Sequence, residues 1–248
     1  MKTYPHRCSR LQVGATLFTT LIMLLLVLLL GVATAQIALQ GEKTARNDRD
    51  RLIAFQAAEA ALLDAELDIR HSPDISESRS YIFSAESSPG FPETGDSSCG
   101  SGIQNVYLGL CRAIADGRTP TWKTLDFTDD APLTVHTVAY GRFTGNAFPF
   151  GAGSLPARAP RYAIELLDDK SISQFSGKPA YFYRVTAIGF GARETTQVVL
   201  QTVYRKSLPA GASVIQAPLR AGRLSWREMI NWPELSLVDR KCQGRRCE

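Results

Sequence analysis

The chain has 248 residues, of which 44% are hydrophobic and 21% charged, a composition that suits one globular domain with room for a core. It excludes collagen-like, purely coiled-coil and wholly disordered proteins, whose compositions depart much further from the average. The formal net charge is +4, which is a small excess for a protein that coats nucleic acid. We therefore expect no nucleic-acid partner.

The first predicted element is a hydrophobic helix near the N-terminus. No charged residue lies between Ala15 and Gly41, and residues 17–30 are almost entirely apolar. A bilayer core needs about 20 helical residues to be crossed, so residues 15–40 can span one. Three basic residues precede this segment: Lys2, Arg7 and Arg10. They favour a cytoplasmic N-terminus and export of the residues after Gly41.

Three kinds of processing are compatible with this segment. Residues 33–35 (Ala-Thr-Ala) fit the cleavage site of a secretory signal peptide, and an uncleaved signal anchor is the second possibility. In the third, residues 1–14 form a short basic leader that ends at Gly14 and is removed before Ala15 on the cytoplasmic side. The whole uncharged segment, residues 15–40, is longer than the usual signal core of about 7–15 residues, which favours the third pattern.

The helix is predicted to continue beyond the membrane segment. Residues 36–70 contain no Pro, and their only Gly is Gly41. Apolar residues recur there at spacings of three and four and form one stripe: Phe55, Ala58, Leu62, Ala65 and Ile69. Pro73 disfavours helix at the residue before it. One continuous helix over residues 15–71 is therefore predicted, and its outer half is amphipathic.

An irregular region and then a sheet are predicted after the helix. Residues 72–132 are rich in Ser, Pro and Gly and predict loops. Four runs within residues 133–206 are rich in β-branched and aromatic residues and predict strands: residues 133–140, 161–167, 181–188 and 195–204. Residues 189–193 suit a hairpin connection between the last two runs.

The alternation within two of these strands predicts which face is buried. Tyr162, Ile164 and Leu166 share one face, as do Tyr183, Val185 and Ala187. Such a face must be covered, and the outer half of the helix is available to cover it. The sequence thus predicts an α+β fold in which a long N-terminal helix packs on an antiparallel β-sheet.

A basic C-terminal extension, residues 207–248, follows the predicted sheet. Its charge suits either a solvated tail or a docking surface. Trp226 and Trp232, with Arg223 and Arg227 beside them, fit a surface that docks a partner. They fit equally well a small amphipathic helix that folds onto the sheet of the same chain.

The cysteines predict disulfides. Of the five, Cys8 precedes Gly14 and would leave with the leader, so four remain: Cys99, Cys111, Cys242 and Cys247. An even number in an exported domain predicts two bridges, for which three connectivities exist. Local pairing, Cys99 with Cys111 and Cys242 with Cys247, is favoured. A metal site is disfavoured because no histidine lies near these cysteines in the sequence.

Motifs of catalysis are missing from the sequence. There is no Gly-x-Ser-x-Gly, no phosphate-binding Gly-x4-Gly-Lys-Ser/Thr and no His-Glu-x-x-His. The pairs Asp129-Asp130 and Asp168-Asp169 could hold Ca²⁺, but adjacent acids in loops are more often solvated turn residues. We therefore expect neither an enzyme nor a bound cofactor or metal.

Several parts of the chain resemble a known family. They are residues 14–17 (Gly-Ala-Thr-Leu), the apolar run, residues 47–51 (Asn-Asp-Arg-Asp-Arg) and above all residues 54–62 (Ala-Phe-Gln-Ala-Ala-Glu-Ala-Ala-Leu). With them the chain resembles PilX-type minor pilins of type IV pili. The resemblance covers residues 14–67 and resumes at residues 160–165, 183–187 and 200–204, whereas residues 72–155 and those after Lys206 resemble no family.

The resemblance implies a pilin-like fold, no enzymatic activity, and cleavage between Gly14 and Ala15 by the prepilin peptidase. It also implies an inner-membrane protein that later passes through the periplasm into a pilus at the cell surface. In that step the apolar helix leaves lipid for an equally apolar helical bundle. The implied partners are other minor pilins and the major pilin, through the N-terminal helix, and a PilY-type tip protein.

Thr19 departs from the pilin pattern. It is the fifth residue counted from Ala15, where major pilins carry a glutamate inside the apolar segment. A carboxylate there is costly unless it is paired, and its proposed partner is the terminal amine of the subunit assembled before it. A subunit placed first has no predecessor, so Thr19 predicts a position at or near the filament tip and a role in priming assembly.

A different class of protein fits much of the same sequence. A signal-anchored or secreted envelope protein with a ligand-binding β domain would have no filament role and would not need the Gly14 junction. In such a protein the helical residues 54–67 would serve only as a linker.

Overall fold

A computed structural model describes residues 15–70, 76–83, 91, 99–113, 119–169, 180–206 and 221–238. The chain forms two compact units, Met1–Asp48 and Arg49–Glu248. Helix α1 (Ala15–Arg70) supplies everything described in the first unit and continues into the second. We call the second unit, residues 49–248, the head.

The described part of the first unit is a helix whose apolar side chains are exposed. The large apolar side chains from Leu17 to Leu39 are all exposed, and α1 is long and apolar enough to cross a membrane. Such a helix is stable in lipid, because its backbone hydrogen bonds are satisfied within the segment. These properties fit a membrane anchor.

Six strands form one sheet in the described part of the head. They are β1 (Leu110–Arg112), β2 (Val138–Ala139), β3 (Arg161–Asp169), β4 (Ala180–Phe190), β5 (Gln197–Arg205) and β6 (Gly222–Glu228). The strand order is β1-β3-β4-β5-β6, and β2 also pairs with β3. Strand β1 runs parallel to β3, whereas the other pairs are antiparallel. The predicted α+β fold is confirmed, with one parallel strand added to the antiparallel sheet.

The face that alternation predicts to be buried forms the core of the head. Ile164 of β3 lies opposite Val185 of β4, and Leu166 lies opposite Tyr183, and all four side chains are buried. The outer part of α1 covers this face with a row of buried alanines, Ala54, Ala57, Ala58, Ala61 and Ala65. Small side chains let the helix backbone lie close to the sheet, which explains the alanine-rich residues 54–65.

Two short elements differ from the predicted strands and loops. The run 133–140 contributes only β2, because residues 131–135 form a turn in which the N–H of Val135 donates to the carbonyl of Ala131 at 3.0 Å. Strand β1 lies in the region predicted to be irregular. Its three residues become a strand through pairing with β3, which lies more than fifty residues later in the chain.

The region predicted to be a basic extension contains the edge strand β6. Gly222–Glu228 pairs with β5 in antiparallel register, so the alternative of an amphipathic helix is wrong for Trp226. Arg227 donates to Gln201 Oε1 of the neighbouring strand at 2.5 Å. Trp232 does begin a short helix, α2 (Trp232–Leu235). Residues 207–220 and 239–248 lie outside the described part of the chain.

Candidate assembly helix and its attachment to the head

Thr19 lies in the exposed apolar part of α1 with its hydroxyl already bonded. The Oγ1 of Thr19 donates to the carbonyl of Thr16 at 2.9 Å, and that of Thr20 donates to the carbonyl of Leu17 at 3.0 Å. Such bonds to the preceding turn satisfy a hydroxyl within its own helix. Position 19 therefore brings no charge and no unbonded donor into the apolar segment. Ala15 is the first residue of α1, and Gly14 lies outside the described residues.

Three successive residues of α1 fasten the helix to three separate parts of the head. We call Arg49, Asp50 and Arg51 the clamp. Arg49 Nη2 donates to Ser154 Oγ at 2.7 Å, and Arg51 Nη2 donates to Glu228 Oε1 at 2.5 Å. Successive helical residues project about 100° apart, so the three side chains reach different parts of the head.

Asp50 holds the connection between β4 and β5. Its carboxylate accepts the backbone N–H of Ala192 at 2.5 Å, the Nε–H of Arg193 at 3.1 Å and the hydroxyl of Thr196. Burial raises the pKa of Asp50, but the hydrogen bonds from Thr196 and Arg193 outweigh it, so the pKa is lowered overall. The charged form of Asp50 is thus the form that the folded head stabilises.

Asp64 holds a second loop, more than three turns further along α1. It accepts the backbone N–H of Gly141 at 2.8 Å, an amide N–H of Asn146 at 3.1 Å and the hydroxyl of Thr144. Burial raises the pKa of this carboxyl by more than these bonds lower it. Gly141 has φ +79°, a left-handed conformation that glycine adopts without strain.

Asp68 forms a fully buried ion pair with Arg79. The guanidinium donates from Nη2 to Asp68 Oδ2 at 2.7 Å and from Nε at 3.0 Å, and both side chains have 0% exposure. Tyr162 of β3 donates its hydroxyl to the same carboxylate at 2.9 Å. Burial, then the charge of Asp68, raises the pKa of Tyr162 well above its usual value, so this hydroxyl remains a donor.

Side chains of α1 also hold the edge strand β6. Glu59 accepts the indole N–H of Trp226 at 2.5 Å, and the ring of Phe55 meets that indole edge-on, with centroids 6.1 Å apart. Glu66 accepts Nε–H of Arg223 at 2.7 Å. The Trp226 and Arg223 side chains, considered above as a docking surface, thus bind α1 of the same chain.

The disulfide joins Cys99 and Cys111, the pair that local pairing favours, with Cα atoms 4.3 Å apart. Inside the closed loop, the N–H of Gly100 donates to the carbonyl of Leu110, and the N–H of Gly109 donates to the carbonyl of Gly100, both at 3.0 Å. Cys242 and Cys247 lie outside the described residues.

The acidic pair Asp129-Asp130 has bonds within the chain. Asp130 pairs with Arg161 at 2.6 Å and with Arg158, and Asp129 accepts the backbone N–H of Ala131 at 2.8 Å. No cluster of three metal-ligating side chains occurs among the described residues. The side chains of Asp168 and Asp169 lie outside the described part.

The carboxylates that fasten α1 to the head were not singled out from the sequence. A signal for them exists. Asp64 and Asp68 are four residues apart and lie beside the buried alanine stripe, with Asp50 on the same side of the helix. Charged residues on the buried side of a helix must be paired, so their positions indicated partners elsewhere in the chain.

Comparison with known families gives two matches. The family described as PilX N-terminal matches residues 14–63, and the family described as Type IV pilus assembly protein PilX C-term matches residues 107–206. The second match includes residues 107–155, for which the sequence alone indicated no family. No curated protein and no solved structure matches the chain.

The first match covers most of α1, and the second covers strands β1 to β5 of the sheet. They confirm the resemblance read from residues 14–67 and extend it through β1 and the loops before β3. Proteins of this kind are structural pilins and not known enzymes. Together the matched residues cover more than half of the chain, which therefore belongs to the PilX family of type IV pilus assembly proteins.

Proposed function

We propose that this protein is a minor pilin that enters the pilus at or near the tip and primes its assembly. Before assembly the protein is anchored in the inner membrane by residues 15–40, with residues 1–14 in the cytoplasm. The prepilin peptidase removes the leader between Gly14 and Ala15. The apolar helix then leaves lipid together with the helices of other minor pilins and the major pilin, and a PilY-type tip protein binds the assembled group.

The observation that carries this proposal is the state of Thr19. Its hydroxyl is bonded to the carbonyl of Thr16 in its own helix, so α1 can be buried among apolar helices without a charge partner at this position. A glutamate at position 19 would need a partner from a preceding subunit. The neutral residue suits the one subunit that has no predecessor.

The attachment of the head to α1 supports a load-bearing role. Along the outer part of the helix, three separate carboxylates bind other parts of the head: Asp50 and Asp64 bind loops, and Asp68 binds Tyr162 of β3. A force applied through the membrane segment during extraction passes along α1 to these bonds. A helix that served only as a linker would not need them.

The test is the N-terminus of the mature protein, measured by intact-mass spectrometry of chain isolated from membranes and from sheared pili. The proposal predicts a start at Ala15. A start at Gln36 would mean a secreted domain, and a start at Met1 an uncleaved anchor, and either would contradict it. Gly14→Phe should block cleavage, because the peptidase must accommodate the residue before the scissile bond. Val13→Ala is the control and should be cleaved.

A ligand-binding envelope protein is the second candidate, and one cavity favours it. The cavity has a volume of about 270 Å³ and lies beside the β5–β6 end of the sheet, where Arg51, Glu228, Met229 and Trp232 contribute to its lining. Ligand pockets are usually larger, about 300–1,000 Å³. Two of the lining residues already bind each other, since Arg51 of the clamp pairs with Glu228 at 2.5 Å. The cavity therefore supports this candidate less well than Thr19 supports a pilin.

A further inference from the structure

The buried guanidinium of Arg79 connects two parts of the head that are far apart in the sequence. On one side it binds the carboxylate of Asp68 on α1. On the other side its Nη1 donates to the carbonyls of Val106 at 2.8 Å and Leu108 at 2.6 Å. The centre of the Phe143 ring lies 3.6 Å from the guanidinium carbon.

Both carbonyl acceptors lie inside the loop that the disulfide closes. Val106 and Leu108 stand between Cys99 and Cys111, and Leu108 forms a bridge with Gly100 next to the first cysteine. A buried guanidinium needs acceptors for its N–H groups, because water cannot replace them. The position of the loop therefore decides whether Arg79 can remain on Asp68.

We propose that the Cys99–Cys111 disulfide is a redox-sensitive lock that fixes the outer end of α1 to the head through Arg79. In the oxidised chain the closed loop holds both carbonyls on the guanidinium, and the guanidinium holds Asp68. In the reduced chain the loop loosens, Arg79 loses two acceptors, and residues 62–70 of α1 lose the contact to this loop that runs through Arg79 and Asp68.

The chemical step is thiol–disulfide exchange. The thiols of Cys99 and Cys111 lose two protons and two electrons to an external disulfide, which is reduced to two thiols as the S–S bond forms. Such oxidants are present outside the cytoplasm, where disulfides persist. The lock therefore closes only after export, and the unlocked chain is the form present before it.

The competing explanation is that β1 alone holds the loop. Leu110–Arg112 pairs with β3, and the N–H of Ile164 donates to the carbonyl of Gly109 at 2.9 Å. If these bonds sufficed, loss of the disulfide would loosen the loop locally and leave Arg79 and Asp68 in place. The two explanations differ in what happens on α1.

The test is amide hydrogen exchange, followed by mass spectrometry, on the full mature chain in detergent micelles. The variant Cys99→Ser/Cys111→Ser is compared with Cys242→Ser/Cys247→Ser, which loses the same number of thiols elsewhere. We expect exchange in residues 62–70 to rise about tenfold or more in the first variant, as the loss of two bonds to a charged group implies. Exchange in residues 50–58, which lie at and directly after the clamp, should be unchanged in this variant. Exchange in the Cys242→Ser/Cys247→Ser variant should be unchanged throughout.

An increase confined to residues 99–112 would overturn the proposal, and so would an equal increase at residues 50–58, which would mean general loosening. A substitution of Arg79 tests the role of the guanidinium. Arg79→Lys keeps the charge but cannot bind the carboxylate and both carbonyls at once. In the Arg79→Lys background, removal of the Cys99–Cys111 bond should change exchange at residues 62–70 less than twofold. The reason is that this variant no longer joins the two loop carbonyls to Asp68, so loosening of the loop is not passed on to α1. A tenfold change there would show that Arg79 does not carry the coupling.

Discussion

Gly189 of β4 lies against the backbone of α1 at Ala54, so closely that a Cβ atom at position 189 would be 2.1 Å from the Ala54 carbonyl oxygen. The same Cβ would be 2.3 Å from the backbone nitrogen of Ala58. Backbone atoms cannot move aside as a flexible side chain can. The close contact between the alanine stripe and the sheet therefore requires glycine at this point.

Gly189→Ala should consequently push α1 off the sheet and lower the free energy of unfolding of the head by about 3 kcal/mol, at the upper end of the cost of overpacking. Gly41→Ala is the matched control, because a Cβ at Gly41 meets nothing within 4 Å. Urea unfolding of the mature chain in detergent, followed by tryptophan fluorescence, measures both. Equal stability of the two variants would mean that α1 does not dock as described.

The clamp should make stability depend on pH through Asp50. Its pKa in the folded head is lowered from the usual 3.8, so the folded state favours the charged form. This contribution is present above pH 3.8 and is lost as the pH falls through the lowered pKa. The stability difference between wild type and Asp50→Asn should thus be constant near neutral pH and shrink below about pH 3.8. Urea unfolding at several pH values measures it, and a difference that widens on acidification would contradict it.

Much of the sheet was predictable because one of its faces is buried. Tyr162, Ile164 and Leu166 alternate with residues of the opposite face, and this period of two is visible in the sequence. The long helix was predictable for the same reason, from the spacing of its apolar stripe. Strand β1 was not, since its three residues become a strand only through pairing with a distant segment. Strand β6 was not predicted either, because it lies in the basic residues 207–248, for which the sequence left a docking surface and an amphipathic helix open.

The candidate site was predictable only where the chain itself carries the signal. Cys99 and Cys111 stand out by residue type, whereas Thr19 is singled out only by its place, counted from Ala15, in the pilin pattern that the chain resembles. The partners of Asp68 could not be read in this way, because Arg79 lies in a polar, serine-rich stretch that gives no sign of burial. A buried ion pair depends on the packing of the whole head, which local patterns do not encode.

The disulfide prediction is tested by peptide mapping of protein taken from the periplasm without reduction. We expect a Cys99–Cys111 peptide and a Cys242–Cys247 peptide, with Cys8 absent from the mature chain. Closing the loop from residue 99 to 111 should stabilise the head by about 3 kcal/mol in the loop-entropy account, which urea unfolding of Cys99→Ser/Cys111→Ser measures. Four free thiols would contradict both the bridges and, largely, the exported location.

Thr19→Glu should leave incorporation into pili unchanged or reduce it. The new carboxylate would have no partner in a subunit placed first, and an unpaired charge within the apolar segment is costly. Thr19→Val is the matched control and should behave as wild type, because the hydroxyl it removes is bonded only within its own helix. Immunoblots of sheared pili measure incorporation. Higher incorporation of Thr19→Glu would mean that the missing glutamate carries no positional meaning.

The position of this protein in the filament tests the central claim most directly. A label on the head can be located along isolated pili by immunogold electron microscopy, with a label on the major pilin as the control for access along the shaft. A subunit that starts assembly is placed once, and we therefore predict gold at one end of each labelled filament. Gold spread along the shaft would contradict a role in priming.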